Sequence, residues 1–167
     1  MGRQITIGFV LLLAVVAASA SAAGGARVFR GPGIVLRYPD GWYATNEALN
    51  GITNPVQRFV FSSYRVPAGG ADANATYAPP PRGVIAQLVE EVPPINNGGV
   101  WRSRPHRFSL PRLGRMETFG GNRWGEVLFR EQRRHFYIFI GVGRRASSAQ
   151  IALMLRTLDA MTINARR

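Results

Sequence analysis

Three groups of arginines carry the clearest chemistry in this sequence. Trp101-Arg102-Ser103-Arg104-Pro105-His106-Arg107 leads on to Arg112 and Arg115, with no acidic residue between Trp101 and Arg115. Arg130, Arg133 and Arg134 form a second group, and Arg144 with Arg145 a third. A guanidinium is a planar fork of donors that matches the oxygens of phosphate and carboxylate. The pattern therefore predicts an anion-binding surface made by Arg102, Arg104, Arg107, Arg112 and Arg115 together with Arg133 and Arg134. If Trp101–Arg104 is extended, Arg102 and Arg104 point one way and Trp101 with Ser103 the other. An aromatic beside such a group can stack on a sugar or cover a cation. The alternative is that arginine is spread around the surface and sets only solubility.

The catalytic inventory is thin. The sequence has no Cys nucleophile, no G-x-S-x-G elbow, no H-E-x-x-H pair and no P-loop. Its two histidines are His106, between Arg104 and Arg107, and His135, which follows Arg133 and Arg134. Such positive neighbours disfavour a bound cation. Glu131 and His135 are four apart, but two ligands do not make a zinc site. No metal and no cofactor are expected. One enzymatic reading survives, a small secreted hydrolase acting on a phosphodiester or another anionic substrate. His106, His135, Glu126 and Glu131 would supply acid–base chemistry, with arginine holding the phosphate.

The bulk composition bounds these readings. The chain has 167 residues, 21 basic against 9 acidic, for a formal charge of +12. Every basic residue is Arg, and there is no Cys. An apolar fraction of 46% excludes a disordered polar chain, and the missing Cys excludes a disulfide-stapled mini-protein. One compact domain is expected. Arg-only usage is also what a GC-rich genome produces, which weakens any argument that Arg was chosen over Lys.

The first residues look like a targeting segment. Arg3 supplies a positive start, Ile5–Ala18 is an uncharged apolar run, and Ser19–Ala23 are small throughout. That is the signal-peptide pattern. The run is short of the roughly 20 residues of a spanning helix, although an uncleaved signal anchor is the alternative. The expected organisation is a signal peptide over 1–23 and a single secreted α+β domain over 24–167. Export would place the arginines among anionic envelope polymers, lipid headgroups or an envelope protein. Nucleic acid could bind by counterion release, but export argues against it as the natural partner.

The elements that would position these residues are mostly strands. Ile34, Leu36 and Tyr38 fall on one side of an extended run, Val35 and Arg37 on the other, and Pro39-Asp40-Gly41 supplies a turn. Arg58–Tyr64 is aromatic and β-branched. Val66–Arg82 is a long Pro- and Gly-containing loop. Val84–Val92 fits a strand or a short helix, with β-branched content favouring strand. Met116–Arg130 reads as a hairpin around Gly120-Gly121-Asn122, followed by a polar connection over Glu131–His135. Phe136–Val142 is apolar on both faces and so belongs at the centre of a sheet. Ser147-x-x-Gln150 fits a capping box, and Ile151, Met154, Leu155 and Leu158 form an apolar helical stripe. The fold class is α+β: an antiparallel sheet flanked by helices, with a C-terminal amphipathic helix packed on it. A small closed barrel with one helix is the structural alternative.

Gly33-Ile34-Val35-Leu36-Arg37-Tyr38-Pro39-Asp40-Gly41-Trp42 resembles the opening of PsbP-like domains and of small exported actinobacterial proteins. The short apolar strand Phe59–Tyr64 and a final strand and helix, Phe136–Val142 and Ser148–Met161, follow the same order of elements. The resemblance implies an α/β/α sandwich and an accessory or binding role with no shared catalytic residues. Many such relatives are lipid-anchored through a Cys, which this chain lacks. No functional residue carries over.

Overall fold

The computed structural model describes residues 25–47, 55–66, 78–93, 101–110, 117–119 and 121–165. The proposed signal peptide over 1–23, Arg112, Arg115 and most of the Val66–Arg82 loop lie outside the described residues.

Glycine and proline punctuate the amino-terminal part. Strand β1 (Ala26–Gly31) turns at Pro32-Gly33 into β2 (Ile34–Pro39), so the extended run around Val28–Tyr38 is a hairpin. Gly33 has φ +69°, and a Cβ there would stand 2.6 Å from Arg134 Nη1, so only glycine lets that arginine lie against the turn. Ile34, Leu36 and Tyr38 are buried on one face while Arg37 is exposed on the other. The Pro39-Asp40-Gly41 turn forms as expected, with Gly41 at φ +78° and Trp42 N donating to Pro39 O. Strand β3 (Tyr43–Thr45) follows it.

The larger sheet has seven strands. Strands β4 (Val56–Ser62), β5 (Val84–Glu91), β6 (Arg102–Ser103), β7 (Glu117–Phe119), β8 (Asn122–Glu131) and β9 (Arg134–Val142) join β3 in the order β3-β4-β5-β9-β8-β6, with β7 also on β8. All pairings are antiparallel except β6 with β8. Val84–Val92 is thus a strand, as its β-branched content favours, and β9 is central between β5 and β8. The polar connection expected over Glu131–His135 is shorter than that. Both strands run on to a two-residue turn, Gln132-Arg133, with φ +52° and +59°. Primed turns of this type match the twist of the flanking strands. The sequence disguises this one because neither residue is glycine.

Helix α1 (Ser148–Asp159) begins with the expected capping box between Ser147 and Gln150. Its Met154 and Leu158 join one buried cluster with Ile34 and Leu36 of β2, Phe59 and Phe61 of β4, Leu88 of β5, and Phe136, Ile138 and Ile140 of β9. A last short strand, β10 (Thr162–Ile163), pairs with β2 and makes a three-stranded sheet, β1-β2-β10. That small sheet and α1 together cover one face of the larger sheet. The molecule is α+β, mostly strand, with one helix among the described residues. No helix among them is long and apolar enough to cross a membrane.

Candidate functional site

The basic segment runs along the edge of the larger sheet. Its β6 pairs with β8 at Arg102–Phe129 and Ser103–Arg130, and Arg104 N donates to Arg130 O at 3.3 Å. The alternation along this stretch separates its side chains. Trp101 stacks on His135, with ring centroids 4.5 Å apart, and meets Tyr137 edge-on at 5.0 Å. Arg104 goes the other way, to the helix. Its Nη2 donates to Leu158 O at 2.6 Å and to Asp159 O at 2.9 Å, and its Nη1 to Met161 O at 2.7 Å and Glu131 Oε2 at 3.2 Å. Leu158 O and Asp159 O belong to the last turn of α1, whose carbonyls lack partners within the helix and where the macrodipole favours a cation; Met161 N also donates to Leu158 O, at 3.2 Å, and Met161 O lies just past the helix. Asp159 Oδ1 accepts from Phe108 N at 2.7 Å, which ties the same segment down a second time.

Between this segment and the β8–β9 turn lies an open pocket of about 800 Å³. Ser103 to His106 form one wall, and Arg130 to Arg133 with His135 the other; Asp159 closes the helix side. Arg130 and Arg133 are exposed on its rim. Among the described residues neither guanidinium meets a carboxylate. Holding Arg133 there requires two non-glycine residues in the left-handed region, at about 1–2 kcal/mol each. Such outliers persist where surrounding structure over-determines them, and they cluster at ligand sites. Deeper in the pocket, His135 Nδ1 is buried without a hydrogen-bond partner, as is Trp101 Nε1 beside it.

The arginines singled out in the sequence are dispersed. Arg133 is on the rim, and Arg104 is in the wall with its fork already engaged. Arg102 is exposed on β6 but does not line the pocket. Arg107 is exposed beside Arg156 and Asp159, around the corner at the end of the helix. Arg134 departs from the expectation outright. It is 3% exposed, because position 134 in β9 faces the core, and its guanidinium is bound to Glu90. Arg130, whose role on the rim the expected set did not include, could have been found by extending the β8 alternation to its end.

No family model and no curated protein matches the chain.

The pocket brings together His106, His135 and Glu131, the parts of the hydrolase reading; Glu126 does not line it. Its two carboxylates are already occupied, Glu131 by Arg104 and Asp159 by the Phe108 amide. Among the described residues neither is hydrogen-bonded to a histidine. Among the described residues no group of three or more His, Asp or Glu side chains could hold a metal ion. What the pocket does offer is two unengaged guanidinium forks at a concave opening.

Proposed function

We propose that this is an exported, non-enzymatic binding or accessory protein of the cell envelope, and that the pocket beside the β8–β9 turn receives the anionic groups of an envelope polymer. The observation that carries this reading is the pair Arg130 and Arg133, exposed and without carboxylate partners on the rim of a concave pocket. A concave opening suits a chain with spaced charges better than the flat plane of lipid headgroups. The export part rests on the charged start, apolar run and small residues of Met1–Ala23.

The test uses the 24–167 protein and immobilised polygalacturonate across a salt series. Binding that weakens steeply with salt is expected, and Arg130→Gln with Arg133→Gln should weaken it by about tenfold. Equal binding by the double variant overturns the assignment of the pocket. Binding to phosphatidylglycerol vesicles with none to the polymer moves the partner to lipid.

We also propose that the domain is PsbP-like. Support comes from the order of elements, from the Tyr38-Pro39-Asp40-Gly41-Trp42 strand and turn to the final β9 and α1. An α/β/α sandwich would carry a further helix on the face of the larger sheet away from α1. A crystal structure with that face free of helix would overturn the relationship.

A further inference from the structure

A second cationic pocket, of about 960 Å³, opens where the β1–β2 turn and the end of β10 approach β4 and β9. Its floor is an ion cluster. Glu90 is fully buried and receives Arg134 twice, Nε on Oε1 at 2.9 Å and Nη2 on Oε2 at 2.7 Å. Arg58 Nε also donates to Glu90 Oε2, at 2.5 Å. Two guanidiniums therefore share one carboxylate. The remaining donors of Arg134 are engaged too, Nη1 with Gly33 O and Asn164 O, and Nη2 with Pro32 O.

Arg58 is different. The pairing of β4 with β5 shifts register between Gln57 and Phe59, so Arg58 sits in a β-bulge. Strict alternation would send Arg58 and Phe59 to opposite faces. The bulge puts both on the core side, and re-aiming one side chain is a common use of such a feature. The Arg58 side chain is only 14% exposed, yet its Nη1 and Nη2 have no partner among the described residues. Arg30 is exposed and likewise unpaired on the same wall. Among the described residues no acidic side chain lines this pocket. Arg58 thus holds Glu90 through Nε alone and lines the pocket with a second edge that no described residue engages.

We propose that this pocket binds a carboxylate, with the Arg58 Nη1–Nη2 edge facing its two oxygens and Arg30 adding charge from the rim. One carboxylate would bring the Glu90, Arg134 and Arg58 cluster to neutrality, two against two. The pocket shares no unpaired arginine with the Arg130–Arg133 rim, so its fate does not depend on the polymer-binding reading.

The experiment follows the arginine Nε–H resonances of Arg58 and Arg134 while sodium acetate is added to the 24–167 protein. Phosphate and chloride serve as comparison anions at equal ionic strength. A saturable shift at Arg58 with acetate is expected. Arg30→Gln, a change at an exposed and unpaired residue, should weaken it by about threefold. Arg58→Lys should abolish it, since it keeps the charge and removes the fork. Overturning results are an acetate response no different from that of chloride, a saturable response to phosphate alone, or acetate affinity unchanged in Arg30→Gln. The last comparison decides the matter even if Arg58→Lys does not fold.

Discussion

Arg104 Nη2 lies 2.6 Å from Leu158 O, so a residue of the basic segment closes the end of the only helix among the described residues. An arginine that reads as a ligand contact is thereby a structural clamp. Its Nη1 and Nη2 together reach three carbonyls, and its guanidinium also lies over the Phe108 ring.

Arg104→Met should destabilise the fold by about 2 kcal/mol, because it strands hydrogen-bonded carbonyls at a partly buried helix end. Urea unfolding measures the loss. Arg104→Lys should recover less than half of it, since a single ammonium cannot bridge Leu158, Asp159 and Met161. A midpoint unchanged in Arg104→Met would mean that solvent caps the helix equally well.

Glu90→Ala should cost more, about 3–5 kcal/mol, because it leaves Arg58 and Arg134 together without their carboxylate. Thermal unfolding compared with an exposed control, Glu47→Ala, checks it. A loss no greater than that of the control would mean that water reaches the cluster.

The β8–β9 turn separates stability from binding. Gln132→Gly relieves a left-handed non-glycine residue, and after the entropy of the added glycine it should stabilise by about 0.5 kcal/mol. Polymer binding should not change. Arg133→Gly should give a similar gain in stability but lose affinity. If both variants bind alike, Arg133 is only a turn residue.

High pH should destabilise the protein through Tyr64. Burial pushes its hydroxyl up from 10.0 to about 12. Below pH 10 it is neutral whether the chain is folded or not, and this contribution to stability is fully present. As pH rises from 10 towards 12 the unfolded chain ionises first, so stability falls. Ultraviolet titration should reveal a late-titrating tyrosine that Tyr64→Phe removes, together with part of the alkaline loss of stability.

Local signals in the sequence were sufficient for some elements and silent on others. The capping box at Ser147 and the apolar stripe from Ile151 to Leu158 describe α1 well, because both depend on neighbours within one or two turns. The β-branched runs around Val84 and Phe136 give β5 and β9 for the same reason. The fate of the arginines depends on distant partners. Arg134 meets Glu90 and Arg104 meets Leu158 only after the sheet and helix are assembled, so a list of basic residues could not separate ion-pair, cap and rim. The bulge at Arg58 and the Gln132-Arg133 turn break rules of alternation and glycine usage, and both adjoin candidate pockets. The arginines on which the two binding proposals rest are Arg130, Arg133, Arg30 and Arg58. Of these, the anion-binding set expected from the sequence contained only Arg133.

The pairing of Thr162–Ile163 with Ile34–Val35 has a consequence for biosynthesis. The small sheet is built from the first and last strands of the described chain, so no ribosome-bound fragment ending before Ile163 can complete it. Until then Ile34 and Leu36 lack the covering they share with α1 and β10. Completion of the small sheet, unlike that of the larger one, therefore waits on the segment that follows α1.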